Sequence, residues 1–325
     1  MVQIPATVGI LVWIFADAQL LRKIGQTLLG ADPWWLLAGV AMGGASVAIM
    51  ASRWLIFLRT QGIRLPYRRA LAIYLISLFF TLFLPGAVSS GAARGLYLFY
   101  EHPGRKTAVV LSIIADHLSG LIALVLVAIV FTFSRARWFD QAPIPQGTLY
   151  VLAAFLGLTM TGLLLTMLGV QSGFIDTMPH QVPFRAKMVE FAKALNGVLM
   201  QWRVMLKGIG VSLLVLLTFF LTFDFAARAF DAGVSTLDML SIMPIVDVIT
   251  ALPLTASGIG VREKLFEELL TSLAGVPADV ALLVSMTGFA FSAVWSVLGG
   301  PVFAVYAPRR GQHRVNPLQD DVPGE

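Results

Sequence analysis

Two stretches of the chain carry the same polar residues at the same spacing within apolar sequence. One runs from Leu84 to Arg94 (LPGAVSSGAAR) and the other from Leu252 to Arg262 (LPLTASGIGVR). In each, a serine follows the proline by four residues and an arginine follows it by nine, and one offset of 168 residues relates all matched positions. A guanidinium beside a helix start suits a phosphate or carboxylate, because backbone N–H groups there already favour an anion. The spacing therefore predicts an anion site built from two similar halves.

The residues proposed for this site come from both stretches and from one apolar run between them. The predicted substrate-binding residues are Pro85, Ser89, Arg94, Asp116, His117, Pro253, Ser257, Gly258, Gly260, Arg262 and Glu263. Asp116 and His117 lie about ten residues inside an apolar run, where an ionisable side chain is costly and indicates function. Two alternatives stay open. Each arginine extends to a membrane interface and only marks topology, or Asp116 pairs with His117 or a hairpin arginine to hold the bundle together.

The composition identifies the chain as a polytopic membrane protein. Hydrophobic residues make up 58% of the 325 residues and charged residues only 13%, whereas soluble domains carry about 25% charged residues. Apolar windows of about 20 residues are long enough to cross a bilayer core. Six crossings are predicted, near residues 4–21, 34–58, 107–133, 148–169, 207–228 and 279–306.

Basic residues predict the orientation of these crossings. The stretch from Arg53 to Arg69, which also holds Arg59, Arg64 and Arg68, is predicted to be a cytoplasmic loop. Both termini then lie in the cytoplasm. The net charge of +5 is spread over short loops of this kind, so nucleic acid is not an expected partner.

Two apolar regions do not fit as simple crossings. The run over 70–84 is too short to span a bilayer and ends in a Pro-Gly break. We predict re-entrant hairpins near 70–104 and 238–273, entering from opposite faces because three crossings separate them. The expected fold is an all-α transmembrane bundle with two broken-helix hairpins related as inverted repeats, an arrangement that places a substrate site near the midplane. One membrane domain over 1–310 and a polar cytoplasmic tail over 311–325 complete this prediction.

Other chemistry has little support in the sequence. The chain has no cysteine, and its four histidines have no metal-ligand spacing, so we expect neither a metal site nor a cofactor. The Gly258-x-Gly260 pair lacks the further glycine and acidic residue of a dinucleotide site. An amphipathic helix is predicted near 184–200, lying on the cytoplasmic membrane surface or packed on cytoplasmic loops.

Four motifs resemble a known family. They are Arg53-Trp54 at the end of a span, the stretch from Leu84 to Arg94, Asp116, and the stretch from Pro253 to Glu263. Together they are similar to the lysylphosphatidylglycerol synthase transmembrane family, a flippase-like membrane region, over about residues 32–307. In that family an acidic residue is usual where Gly91 stands, and arginine is common where His117 stands.

The resemblance implies lipid translocation. In fused relatives this region is joined to a cytosolic aminoacyl-transfer domain, which we do not expect in this chain. The leading hypothesis is a transporter of a phosphate-bearing anionic lipid in the bacterial inner membrane, with Arg94 and Arg262 binding the head group and no catalytic residue. The alternatives are a membrane-embedded transferase with Asp116 or Glu263 as general base and a non-catalytic member of a lipid-biosynthesis complex. The expected partners are a membrane lipid, lipid-biosynthesis enzymes and a second copy of the chain.

Overall fold

A computed structural model of the chain describes residues 29–83, 88–139, 154, 157–158, 161–162, 164–165, 167–177, 185–251 and 260–306. All regular elements in these ranges are helical. The first five α-helices are α1 Pro33–Thr60, α2 Tyr67–Phe83, α3 Val88–Glu101, α4 Lys106–Ser134 and α5 Ala136–Phe139. The next five are α6 Arg185–Leu199, α7 Trp202–Ala229, α8 Thr236–Ala251, α9 Val261–Ala274 and α10 Ala278–Val305. Short 3₁₀ turns lie at Pro103–Arg105 and Phe174–Thr177.

Among the described helices, four are long and apolar enough to cross a membrane. They are α1, α4 with its preceding turn, α7 and α10, and they coincide with four of the six predicted crossings. The predicted crossing near 4–21 lies outside the described residues, and the one near 148–169 lies mostly outside them. The described helices therefore support an all-α integral membrane protein.

Exposed apolar side chains line the outer faces of these helices. The large ones include Leu126, Val130 and Phe133 of α4, Leu213, Leu214 and Leu217 of α7, and Val294, Val297 and Leu298 of α10. In water, contiguous apolar surface of this kind leads to association. A bilayer covers it at no cost, because lipid chains are as apolar as these side chains.

Helix α1 is longer than the charge pattern predicted. The Asp32 side chain caps its start by accepting a hydrogen bond from the Trp34 N–H at 2.8 Å, and Gly62 with φ 74° follows its end. The predicted loop over 53–69 is therefore too long, since Arg53 and Arg59 belong to α1. Arg53 is buried, because it pairs with another buried charge, described below.

Helices α2 and α3 form an antiparallel pair at one end of the bundle. Arg69 near the start of α2 makes an ion pair with Glu101 at the end of α3. Arg105, just before α4, donates to the Gly62 carbonyl oxygen at 2.9 Å. The Arg69 guanidinium carbon also lies 4.3 Å from the ring centroid of Tyr306, directly after α10. The end of this pair that contains Arg69 and Glu101 therefore lies beside the end of α1, the start of α4 and the end of α10.

Helices α8 and α9 form a second pair at the other end. Asp238 in the first turn of α8 pairs with Arg135, directly after α4, at 2.7 Å. Val276, just beyond α9, belongs to the same apolar cluster as Phe230, just beyond α7. The Asp32 N–H donates to the Ala229 carbonyl oxygen at 2.9 Å, which places the start of α1 beside the end of α7. The two helix pairs are therefore attached at opposite ends of the bundle.

Helix α10 packs closely on several helices through small residues. A Cβ atom on Gly39 of α1 would lie 2.1 Å from the Phe291 ring of α10. A Cβ on Gly299 of α10 would lie 2.1 Å from the Leu75 carbonyl oxygen of α2. Such distances are far below van der Waals contact, so only glycine allows these approaches.

Helix α6 occupies the stretch predicted to be amphipathic. Val198 is buried in an apolar cluster with Phe57 of α1, Leu111 of α4 and Met205 of α7. Among its described side chains, the apolar ones therefore face the bundle at the end where α4 begins.

Candidate functional site

A buried cluster of three charged side chains lies in the interior of the bundle. Asp116 of α4 is 1% exposed and accepts hydrogen bonds from two arginines. Arg53 Nε donates to Asp116 Oδ1 at 2.7 Å, and Arg94 Nη1 donates to Asp116 Oδ2 at 2.8 Å. Arg94 is also 1% exposed. Each carboxylate oxygen therefore holds its own guanidinium group.

Four helices position this cluster. Arg53 comes from α1, Arg94 from α3 and Asp116 from α4, and Ser212 of α7 accepts a hydrogen bond from Arg53 Nη1 at 2.9 Å. A Cβ on Gly120 would lie 2.9 Å from Arg53 Nη1, so this glycine makes room for the guanidinium. The crossing helices α1, α4 and α7 thus hold Arg53 in place, whereas Arg94 belongs to the α2–α3 pair.

Arg94 is enclosed by aromatic rings. Its guanidinium carbon lies 4.7 Å from the ring centroid of Tyr74 on α2 and 5.2 Å from that of Trp54 on α1. These are cation–π distances, and such contacts are strongest when they are shielded from water. Arg94 lies six residues after Val88, the first residue of α3. The hairpin arginines were expected at or just inside a helix start; Arg94 lies in the second turn of α3, because α3 begins before the serines and not after them.

His117 lies at the edge of this cluster. Its side chain is exposed, unlike that of Asp116. His117 Nδ1 is 2.8 Å from the Ile113 carbonyl oxygen and 3.5 Å from Arg94 Nη2. A carbonyl oxygen can only accept a hydrogen bond, so Nδ1 of His117 carries the hydrogen and donates it to Ile113. Nδ1 therefore does not accept a hydrogen bond from Arg94. His117 is thus a neighbour of the cluster and not one of its hydrogen-bonding members.

Gly260, Arg262 and Glu263 form a second cluster at the start of α9. Gly260 has φ 88°, a left-handed conformation that favours glycine. The Glu263 carboxylate reaches back to accept from the Gly260 N–H, and Ser285 Oγ of α10 lies 3.4 Å from its other oxygen. Arg262 is in the first turn of α9, and its guanidinium carbon lies 4.5 Å from the ring centroid of Phe289 on α10. Glu263 thereby caps its own helix.

The predicted site residues thus fall into two groups with different helical neighbours. Arg94, Asp116 and His117 lie together, and Gly260, Arg262 and Glu263 lie together. Pro85, Pro253, Ser257 and Gly258 lie outside the described residues. Ser89 belongs to α3, but its side chain is outside the described part.

Four residues that form or surround the first cluster were not in the predicted set: Arg53, Trp54, Tyr74 and Ser212. Arg53 and Trp54 belong to a motif shared with the family, but the sequence did not assign them to the site, because the charge of Arg53 was attributed to a loop. Tyr74 and Ser212 gave no signal, since aromatic residues and serine are ordinary in apolar helices.

The first cluster is electrically unbalanced. Among the described residues, two guanidinium groups face one carboxylate here, so one positive charge has no described counter-charge. An uncompensated buried charge costs several kcal/mol, and an anionic ligand would remove that cost. Among the described residues, no three histidine, aspartate or glutamate side chains are grouped to hold a metal ion. The arrangement is complementary to an oxyanion.

The long apolar helices, their exposed apolar faces and the buried charges define an integral membrane protein of the all-α class. The family described as lysylphosphatidylglycerol synthase TM region matches residues 2–300. The chain therefore belongs to this family, which confirms the resemblance of its motifs. No curated protein sequence matches the chain.

Proposed function

We propose that the protein moves a phosphate-bearing anionic lipid between the leaflets of the membrane. The observation that carries this proposal is the surplus positive charge of the Arg53–Asp116–Arg94 cluster. A head-group phosphate beside Arg94 adds one negative charge and makes two cations face two anions.

The cluster provides a means of binding and release. Arg94 holds Asp116 through one terminal nitrogen only, and guanidinium groups bind phosphate through two parallel donors. A phosphate therefore competes with Asp116 for Arg94, while Arg53 keeps the other carboxylate oxygen. When the lipid leaves, Asp116 again satisfies Arg94. This exchange of partners limits the affinity and lets the lipid dissociate.

The proposed transport route follows from the two helix pairs. We propose that α2–α3 and α8–α9 are re-entrant hairpins related as inverted repeats, since they attach at opposite ends of the bundle. Each helix pair then brings an arginine to the interior, Arg94 on one side and Arg262 on the other. Alternate exposure of these groups to the two faces moves a head group across. The proposed location is the bacterial inner membrane with both termini in the cytoplasm.

The geometry disfavours catalysis by either proposed general base. Both oxygens of Asp116 accept hydrogen bonds from guanidinium groups, so neither oxygen is free to take a proton from a substrate. Glu263 is engaged by the Gly260 N–H and Ser285. A transferase reaction would have to break these contacts before proton abstraction. We therefore place transport ahead of lipid-phosphate transfer.

Leaflet exchange in liposomes tests the proposal. Purified full-length protein is reconstituted with fluorescent phosphatidylglycerol, and quenching of the outer leaflet by dithionite reports exchange. We expect protein-dependent exchange that Arg94→Gln lowers at least about tenfold, because a charge-assisted hydrogen bond contributes about 1.5–3 kcal/mol. Arg64→Gln is the matched control, since Arg64 is exposed, and it should exchange lipid like the unmodified chain. A labelled diacylglycerol, which has no phosphate, should show no dependence on Arg94.

Two results would contradict this function. If the protein catalyses no exchange of any phosphate-bearing lipid, the transport proposal is wrong and a role within a lipid-synthesis complex is favoured. A new covalent lipid product detected by mass spectrometry would instead favour the transferase.

A further inference from the structure

Two buried N–H donors near the first cluster have no acceptor in the part of the chain that the structure describes. They are Nε1 of Trp54 and Nε of Arg94. Trp54 is completely buried and Arg94 is 1% exposed, so water does not reach these donors freely. Buried donors are nearly always paired, and leaving one unpaired costs about 1–3 kcal/mol. Such a pair of orphan donors therefore needs an explanation.

Another tryptophan in the same bundle shows the usual solution. Trp295 of α10 donates its Nε1 hydrogen to the Val40 carbonyl oxygen at 2.8 Å. Trp54 has the same indole group in a more buried position. The Trp295 indole shows that acceptors for such a group exist in this fold. The Trp54 N–H lacks one because of its particular position.

The two orphan donors belong to side chains that lie next to each other. The Arg94 guanidinium carbon lies 5.2 Å from the Trp54 ring, and Trp54 follows directly after Arg53 in α1. Both side chains belong to the surface between α1 and the α2–α3 pair. Neighbouring side chains with donors that lack acceptors, beside two guanidinium groups that share one carboxylate, are complementary to a ligand that offers negatively charged acceptor oxygens.

We propose that the indole N–H of Trp54 donates a hydrogen bond to an oxygen of a phosphate group bound beside Arg94. This inference rests on the proposed function and adds a binding residue to its site. The phosphate belongs to a lipid head group or to a free inorganic ion, since both present the same oxygens. Because Trp54 is fully buried, the ligand reaches it when the α2–α3 pair separates from α1. Trp54 then recognises the ligand as a hydrogen-bond acceptor, whereas the arginines recognise its negative charge.

A substitution at Trp54 can separate the contribution of the N–H from that of the aromatic ring. Trp54→Phe keeps an aromatic face toward Arg94 but removes the donor. Trp295→Phe is the matched control, because it removes the same volume and an N–H that already has a protein acceptor. Binding to the full-length protein in detergent is measured by thermophoresis with three probes: dioctanoyl phosphatidic acid, inorganic phosphate and dioctanoylglycerol.

We expect Trp54→Phe to weaken binding of the phosphatidic acid at least about tenfold, the usual effect of losing a hydrogen bond to a charged group. Trp295→Phe should bind like the unmodified chain. Thermal unfolding without ligand should show the opposite order, since only Trp295→Phe removes an existing hydrogen bond. Binding of inorganic phosphate with the same dependence on Trp54 supports the donor role toward a free ion as well, whereas Trp54-dependent binding of the phosphatidic acid alone identifies a lipid head group as the ligand. Dioctanoylglycerol should not bind to this site in any variant.

Two outcomes overturn the inference. One is unchanged phosphatidic acid binding by Trp54→Phe, and the other is an equal loss in both tryptophan variants, which would indicate packing alone. These failures are separate from failure of the proposed function. If Arg94→Gln abolishes lipid exchange but Trp54→Phe binds normally, transport stands and the role of Trp54 is wrong. If the unmodified protein exchanges no lipid, transport is wrong even where Trp54 governs binding of phosphate.

Discussion

Replacing Asp116 by asparagine tests the charge balance of the buried cluster. The side chain keeps its shape and one carbonyl oxygen, but its negative charge is lost. Arg53 and Arg94, which lie 2.7 and 2.8 Å from the carboxylate oxygens, are then two buried cations without a counter-charge. The asparagine amide also directs N–H groups toward one guanidinium, and donors cannot bind donors. Both effects destabilise the folded protein.

The size of the loss follows from the burial of the partners. A pair of charges at about 4 Å interacts by about 4 kcal/mol at an effective dielectric constant near 20, and removing one partner of a buried pair costs about 3–5 kcal/mol. We therefore expect Asp116→Asn to lower the free energy of unfolding by about 3–5 kcal/mol. Asp238→Asn is the matched control, because Asp238 pairs with Arg135 at the same 2.7 Å but the two side chains are 23% and 20% exposed. A pair of that exposure contributes about 0–1 kcal/mol.

Unfolding in mixed micelles, titrated with dodecyl sulfate and followed by circular dichroism, gives both free energies. Adding Arg94→Gln to Asp116→Asn should restore part of the loss, since one unpaired cation is removed, with a coupling energy of about 1–3 kcal/mol. Equal losses for Asp116→Asn and Asp238→Asn would refute the argument, because distance alone and not burial would then set the energies. A double variant less stable than the sum of the single effects would also contradict it.

Two further predictions concern helix packing and helix ends. Gly299→Ala places a methyl group 2.1 Å from the Leu75 carbonyl oxygen, so α10 must shift and the free energy of unfolding should fall by about 1–3 kcal/mol. The control Gly210→Ala has open space around its new methyl group and should not destabilise in the same titration. Asp32→Ala removes the acceptor of the Trp34 N–H and should cost about 1 kcal/mol, whereas Asp32→Asn, which can still cap, should cost less. If Asp32→Ala and Asp32→Asn unfold at the same dodecyl sulfate concentration, the cap is not stabilising.

The membrane class and four of the crossings were predictable because long apolar runs have few alternatives. Asp116 was predictable for a related reason, since a lone carboxylate inside such a run needs a partner or a purpose. The partner Arg53 was not, because its charge was assigned to a loop with Arg59. A basic residue near the end of an apolar run is ambiguous between an interface and a buried pair, and only the packing of α1 on α4 and α7 decides.

The repeat of 168 residues identified corresponding residues but not corresponding positions within helices. Arg262 lies in the first turn of α9, whereas Arg94 lies six residues beyond the start of α3. Local sequence explains this difference. Gly260 adopts a left-handed conformation that stops the helix from extending backward, while the corresponding Ala92 is compatible with a continuous helix. Sequence spacing alone contains no information about how far a helix extends past a serine-glycine segment.

Helix α10 touches both helix pairs, and this has a consequence for leakage. Gly299 lies against α2, Phe289 and Ser285 lie against the start of α9, and Tyr306 follows the helix beside Arg69. A shift of this helix as a whole relative to one pair would also change its contacts with the other. In a transporter of the proposed kind, this one helix would therefore couple the opening of the site to the two membrane faces. Such coupling would keep both faces from opening together and would thereby preserve the ion gradients of the cell while a lipid passes.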